Sequence, residues 1–432
     1  MTTATTATTA KLPADYWRLL TASGVSNLGD GIFLAALPLL AARLTRDEVS
    51  ISLIATAALL PWLLFSLPIG AIIDRCDRKA IMVATDLTRA AMMGLLAVML
   101  SFDVVEIWML WVLAFALGTA EVFFDNATQA ILPAVVPPNL LEKANGRKYA
   151  TELATNTFLG TPLGSLLFAV SVSLPFGVDA VTFAVAVVLI MPIRGDFNPT
   201  TVPRHATASM YAEMRTGVRW LWRQPMLRSI ALALALTNLA FQIPQAVFVL
   251  FAQDVLGVTE TEYGFLLALM GIGAVAGGLL GDRIVARLGQ TTCIYGALAT
   301  WIVTLFATAI YPQVWFVAVV VAIESAATAV WNVVTVSLRQ QMIPASLFGR
   351  VNSVYRWFAW GTLPIGSIIG GQVARHYGLR ASYVVAGAVM IGALLMILRH
   401  VNTENIVRAL AGNRMASGQD DTPVARRDPL LD

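Results

Sequence analysis

The segment GAIIDRCDRK, residues 70–79, splits a long apolar stretch in two, and its reading decides the fold. The apolar run before it covers 50–73 and the run after it 80–100, each near the ~20 residues that an α-helix needs to cross the hydrocarbon of a membrane. Within the hinge, Gly70 lets another backbone come close. Asp74 can accept hydrogen bonds from the N-terminus of a neighbouring helix, and Arg75, Arg78 and Lys79 hold one membrane face. A plain charged stop between two spans would need neither the glycine nor the aspartate.

The pattern returns later in the chain. GLLGDR, from Gly278, repeats Gly-x-x-x-Asp-Arg and puts Asp282 and Arg283 in the places of Asp74 and Arg75. VPPNLLEKANG, from Val136, is answered by IPASLFGRVNS, from Ile343, so that Pro137 meets Pro344, Lys143 meets Arg350 and Asn145 meets Asn352. SNL at Ser26 is answered by TNL at Thr237. Echoes in order at a nearly constant offset predict two halves that run the same way.

Further apolar runs lie near 16–42, 107–130, 143–170, 175–194, 226–253, 261–284, 291–311, 313–338, 350–374 and 380–400. The chain is therefore expected to be an all-α membrane protein, with twelve transmembrane helices in two pseudo-symmetric six-helix bundles. Its expected parts are a cytoplasmic N-terminal arm (1–15), a first bundle (16–194), a cytoplasmic linker with an interfacial amphipathic helix (195–225), a second bundle (226–400) and a disordered tail (401–432).

Composition agrees. The chain is 57% hydrophobic and 13% charged, against about 25% charged in soluble domains. It has no GxxxxGK[ST] loop and no metal-ligand spacing, and its three histidines, His205, His376 and His400, are scattered. Neither an enzyme nor a metal site is expected, and no nucleic-acid partner.

With the N-terminus inside, all 29 Lys and Arg residues fall on the cytoplasmic side except Arg43, Arg46, Arg375, Arg380 and the intramembrane Arg89. That asymmetry puts both termini in the cytoplasm. Cys76 and Cys293 then face a reducing compartment, so no structural disulfide is expected. MTTATTATTAKL has neither a basic leader nor an apolar core, and helix 1 itself is expected to direct insertion.

Polar residues inside the spans are the functional candidates, because a carboxylate at bilayer depth costs roughly 2.5 to 3.5 kcal/mol on insertion scales. Asp30, about 21 Å along helix 1, lies too deep to snorkel. Flanked by Gly24, Gly29 and Gly31 and with Asn27 adjacent, it is the first candidate for proton coupling or cation recognition. The alternative role is a structural carboxylate bonded to a hydroxyl or amide of helix 4 or 5. Glu324 in helix 10 is its strongest rival, and Glu121 in helix 4 is a third.

Asp125, one turn from Glu121, is expected to pair with Arg75 or Arg78 in a gating lock. Asp86 and Arg89, three residues apart on one helix face, are expected to join that cytoplasmic charge network. Glu152 falls toward the cytoplasmic end of helix 5, and Asp179 is expected at the start of helix 6 near the outer surface. Asn238, Gln242 and Gln245 form one stripe on helix 7 and, with Asn27, are expected to line a cavity. Trp62, Phe65, Phe158, Trp331, Tyr355 and Trp357 are available as an adaptable aromatic lining.

The hinge resembles the signature loop of the major facilitator superfamily, G-x-x-x-D-R-x-G-R-R/K, with Gly70, Asp74, Arg75, Arg78 and Lys79 matching and Asp77 in the place of the usual glycine. NLGDG, FFDNATQAILPAVVPPNLLEKANG and RTGVRWLWRQPMLR resemble the branch that contains enterobactin exporters, macrolide-efflux pumps and actinobacterial tetracycline and multidrug exporters. The resemblance implies alternating access about a central cavity, export driven by a proton gradient without a cofactor, and Asp74 capping helix 11 in the outward-facing state. LGTPLGS is similar to the helix-5 pattern of drug/proton antiporters, with Gly160 and Gly164 matching and Pro162 shifted by one. The arginine typical of helix 4 in such antiporters is missing.

The expected function is proton-coupled efflux of amphipathic drugs or a siderophore-like metabolite by a monomer in the bacterial inner membrane. A lysophospholipid flippase or solute importer would share the fold. A membrane sensor or scaffold that moves no substrate is the alternative of another class.

Overall fold

The computed structural model describes residues 12–73, 76–195, 197 and 210–406. Its first half comprises α1 (Ala14–Leu44), α2 (Glu48–Ile73), α3 (Arg78–Ser101), α4 (Ile107–Val135), α5 (Leu141–Glu152), a π-helical stretch (Leu153–Gly160) that leads into α6 (Thr161–Val170), and α7 (Leu174–Ile190). After α8 (Met210–Trp222) the second half comprises α9 (Pro225–Gln245), α10 (Phe248–Leu250) with a π turn (Phe251–Val255), α11 (Glu260–Leu288), α12 (Gln290–Ile310), α13 (Val314–Met342), α14 (Ala345–Gly361), α15 (Leu363–Tyr377) and α16 (Leu379–Leu398). With α5 to α6, α9 to α10 and α14 to α15 each counted as one crossing and α8 left aside, twelve spans result, and among the described residues ten helical stretches are long and apolar enough to cross a membrane.

The two halves pack alike. In the first, α1 lies on α6 and α7, α2 on α4, and α3 on α4 and α7; in the second, α9 lies on α15 and α16, α11 on α13, and α12 on α13 and α16. The junction between halves keeps the same relation, because α2 meets α15 and α6 meets α11. The echoes at Gly70 and Gly278 and at Val136 and Ile343 thus correspond to two bundles that share one packing pattern. The end that carries the α2–α3 turn and α8 is called the linker end below, and the other the far end.

Three expected straight spans are broken. Helix 5 widens into π turns at 153–160, where Gly160 packs on the backbone of Gly31 and a Cβ at Gly160 would lie 2.6 Å from the Gly31 Cα. Both glycines are needed because α1 and this segment touch main chain to main chain. Helix 7 stops after Pro244, whose ring cannot continue the hydrogen-bond ladder, and resumes as α10. Helix 11 breaks between Gly361 and Pro364, and the Thr362 hydroxyl donates to the Ala235 carbonyl at 3.0 Å.

The ends of the helices follow local chemistry. Asp77 caps α3, its carboxylate accepting from the Lys79 and Ala80 backbone N–H groups at 2.8 and 3.0 Å. Its φ is −63°, so the position needs no glycine. Thr259 and Glu262 form a reciprocal capping box at the start of α11. The interfacial helix expected in the linker is α8, and it is docked rather than free: Gly217 lies against the Arg350 backbone and Leu221 is buried. The tail differs from expectation at its start. Residues 403–406 are helical, Val401 and Ile406 are buried, and the Tyr295 hydroxyl donates to the Val401 carbonyl at 2.7 Å, whereas 407–432 lie outside the described residues.

Candidate functional site

The first half buries one guanidinium among carboxylates. Arg89, expected in a network at the membrane face, sits midway along α3 and is 2% exposed. Its Nη1 lies 3.8 Å from Asp30 Oδ1 and 3.9 Å from Asp86 Oδ1. Those separations are charge contacts and exceed hydrogen-bond distance. The guanidinium also lies over the rings of Phe124 at 5.2 Å and Phe183 at 5.3 Å, which holds it by cation–π attraction.

Asp179, expected near the outer surface, is instead buried in the second turn of α7. It accepts from the Thr182 hydroxyl at 3.3 Å and fits against Gly29. Arg89 therefore contacts Asp30 and Asp86, and its charge also acts on Asp179. One guanidinium balances one carboxylate, so the buried cluster is electrically neutral only when protons neutralise the rest. The sequence missed this because residues from three helices meet there, and periodicity within one helix reports none of it. Asp30 itself is not sealed, with 31% of its side chain exposed.

On α4, Glu121 is exposed beside the Trp62 indole, and Trp62 stacks on Trp360 of the second half at 4.6 Å and 16°. Asp125 lies in the field of Lys148, Arg89 and Arg356. Among the described residues it forms no ion pair with Arg78, which heads α3 at the linker end, bonded through its N–H to the Phe197 carbonyl at 3.4 Å. The other expected partner, Arg75, lies outside the described residues, as does Asp74. Gly70 is in the last turn of α2, and Lys79 Nζ donates to the carbonyls of Met191 and Ile193 at 2.6 and 2.8 Å beyond the end of α7. Asp282 and Arg283 are exposed near the end of α11 and form no ion pair among the described residues.

A cavity of about 460 Å³ opens between the halves, walled by Tyr149, Leu153 and Thr157 on one side and by α9, α11 and α13 on the other. Glu324 projects into it, and its Oε1 accepts from the Thr304 hydroxyl at 2.6 Å. No Lys, Arg or His is among the described residues that line it. Gln242 and Gln245 line this cavity as expected, with Gln242 donating to the Ser367 hydroxyl at 3.0 Å. Asn238 lines an adjoining chamber of about 390 Å³, which shares Phe241, Thr328 and Asn332 with the first. Asn27 lines neither: its amide donates to the Ser23 carbonyl one turn back at 2.7 Å. Of the helix-5 pattern, Gly160 and Gly164 seat α6 on Gly31 and Ile32, and Pro162 lies in its first turn.

The far end is closed by pairs between the halves. Arg43 grips Glu260 through Nε and Nη2 at 2.8 and 2.9 Å, Arg46 reaches Gln253 at 2.8 Å and Asp254 at 3.3 Å, and Arg375 reaches Asp47 at 3.8 Å. Hydrogen bonds from Ser50 and the nearby Arg375 hold the Asp47 carboxyl below the usual carboxylate range. The contact therefore stays charged at neutral pH and weakens only in acid, as Asp47 protonates below the usual carboxylate range. The signal was present in the sequence: Arg43, Arg46 and Arg375 are exceptions to the basic asymmetry, and acidic loops oppose them. Because the Arg43–Glu260 pair is part-exposed at 45% and 25%, Arg43→Ala should shift the open-to-closed ratio at the far end by no more than about fivefold. Labelling of a cysteine at Ser52, which packs on Gly371 there, checks this, and an unchanged rate would show that the pair does not hold the closure.

A helical bundle of two like halves around a largely apolar cavity with a few polar groups is the build of a membrane transporter, and a transporter is not an enzyme. The profile of the transmembrane secretion effector family matches residues 6–428, and the chain belongs to that family of the major facilitator superfamily. It is 26% identical over 385 residues to the multidrug efflux pump Tap of Mycolicibacterium fortuitum, covering 86% of this chain and 92% of that protein. It is 23% identical over 384 residues to macrolide efflux protein A of Streptococcus pyogenes, covering 87% and 93%. Among solved structures it is similar in fold to a bacterial homologue of the iron transporter ferroportin in its inward-facing state (TM-score 0.66, 18% identity, 89% of this chain and 99% of that one). It is likewise similar to the nucleoside transporter NupG (TM-score 0.64, 12% identity, 89% and 100%).

Proposed function

We propose that this protein exports small amphipathic molecules, drugs or a siderophore-like metabolite, from the bacterial cytoplasm in exchange for protons. The observation that carries the reading is Glu324, a carboxylate without a basic partner among the described residues that line an apolar cavity between the halves. A carboxylate there supplies one countercharge in a low-dielectric pocket, which suits a cationic group on an apolar body. The names of the efflux relatives support the direction. The buried cluster of Asp30, Asp86, Asp179 and Arg89 supplies a separate store of protons, so substrate and proton need not compete for one carboxylate.

In this reading the protein is a monomer with both termini cytoplasmic, works by alternating access and needs no cofactor. The far end then faces outward, and closure by Arg43 and Glu260 makes this an inward-facing state. Export into inverted vesicles under an imposed proton gradient tests it. Glu324→Gln should cut export of a lipophilic cation roughly 10- to 100-fold, the worth of a charged hydrogen bond or ion contact at about 1.5 to 3 kcal/mol, and spare an uncharged analogue. Equal export of the cation by the variant, or accumulation in wild type without any gradient, would defeat the proposal.

A further inference from the structure

The adjoining chamber of about 390 Å³ is rich in donors, and no acid is among the described residues that line it. Trp331 and Thr237 both line it and are only 2% and 3% exposed. Yet Trp331 Nε1 and Thr237 Oγ1 have no hydrogen-bond partner among the described residues. Buried donors are almost always paired, so two unpartnered donors on α9 and α13, both among the residues that line this chamber, point to an acceptor that reaches them when it docks.

Arg356, on α14, also lines the chamber, is exposed and forms no ion pair among the described residues; its charge reaches Asp125 of the first half. Arg339 is anchored deeper, with Nε on the Thr335 carbonyl at 3.3 Å, Nη1 near Asn352 Oδ1 at 3.4 Å and its guanidinium 4.9 Å above the Tyr355 ring. No Asp or Glu is among the described lining residues, and Trp301, Trp331 and Trp360 give aromatic walls. Chemistry of this kind recognises an anion carried on a flat or apolar body.

We propose that this chamber binds an acid group, a carboxylate, phosphate or sulfonate on an apolar body, with Arg356 as countercharge and Trp331 Nε1 and Thr237 Oγ1 as orienting donors. The inference deepens the export reading and rests on the cavity being the substrate path. Through Phe241, Thr328 and Asn332 the chamber adjoins the one with Glu324. A molecule with an acid at one end and an amine at the other would span both, which narrows the substrate class to acid-bearing amphiphiles.

The test is binding to the full-length protein in phosphatidylcholine nanodiscs, read by fluorescence with no gradient present. The probes are 1-anilinonaphthalene-8-sulfonate and N-phenyl-1-naphthylamine, the same arene without the sulfonate. Arg356→Gln should weaken the sulfonate about tenfold and Trp331→Phe about threefold, with the uncharged probe bound as in wild type and Arg356→Lys keeping most of the affinity. Displacement of the sulfonate by phosphatidylglycerol would assign the site to a lipid headgroup, and displacement by soluble benzoate alone to a free acid. Equal loss of both probes in Arg356→Gln, unchanged sulfonate binding in that variant, or displacement by neither acid would overturn the proposal. Binding without export would count against the export reading alone, and export without sulfonate selectivity against this one alone.

Discussion

Arg89→Met is expected to be the most damaging single substitution in the protein. It leaves Asp30 and Asp86 beside a buried point with no positive charge and takes away the charge that acts on Asp179, while methionine preserves much of the contact with Phe124 and Phe183. Breaking a buried charge contact by removing one partner costs about 3–5 kcal/mol, because the remaining charge stays buried without compensation. The variant should reach the membrane in low yield and unfold at a clearly lower temperature in detergent. Adding Asp86→Asn should recover part of the loss, since Asp86 is fully buried and neither of its oxygens has a hydrogen-bond partner among the described residues. Thermal unfolding of the two variants side by side decides the matter: if Arg89→Met melts with wild type, the cluster is not what Arg89 balances.

Asp30→Asn should instead fold well and fail in function. Its carboxylate is the one in the cluster with substantial exposure, so proton exchange has a route to it and the amide keeps its shape. Gradient-driven export should fall by roughly 100-fold, the lower end of the scale on which a positioned proton-transfer group matters. Binding of substrate should hold, because Asp30 lines neither chamber. Restoration by Asp30→Glu would show that a titratable group is required at this place. Unchanged export by Asp30→Asn, with loss in Glu121→Gln, would move the coupling role to the carboxylate beside Trp62.

The spans and the repeat were legible because each rests on local pattern, apolar length and the Gly-x-x-x-Asp-Arg echo, and the same local reading found the amide stripe of α9, whose Gln242 and Gln245 line the cavity. Asp30 and Glu324 stood out for a similar reason, as charges inside apolar runs. What stayed hidden depends on meetings between distant segments. Arg89 was read with its sequence neighbour Asp86, and only the packing of α1, α3 and α7 brings Asp30 and Asp179 to it. Asn27 was read as a cavity residue, whereas it lines neither of the two chambers described and one of its N–H groups donates to the Ser23 carbonyl of its own helix. The orphan donors Trp331 and Thr237 could not be told from core packing until the partners of every neighbouring group were known.

The widened turns at 153–160 also bear on anyone who wishes to place reporters along the fifth crossing. A π turn holds more residues than an α turn, so side chains beyond Gly160 point in directions that a count of 3.6 from α5 does not give. Spin labels or cysteines chosen by carrying the α5 periodicity forward would land on the wrong side of α6, and distances measured from them would be assigned to a motion that the helix does not make.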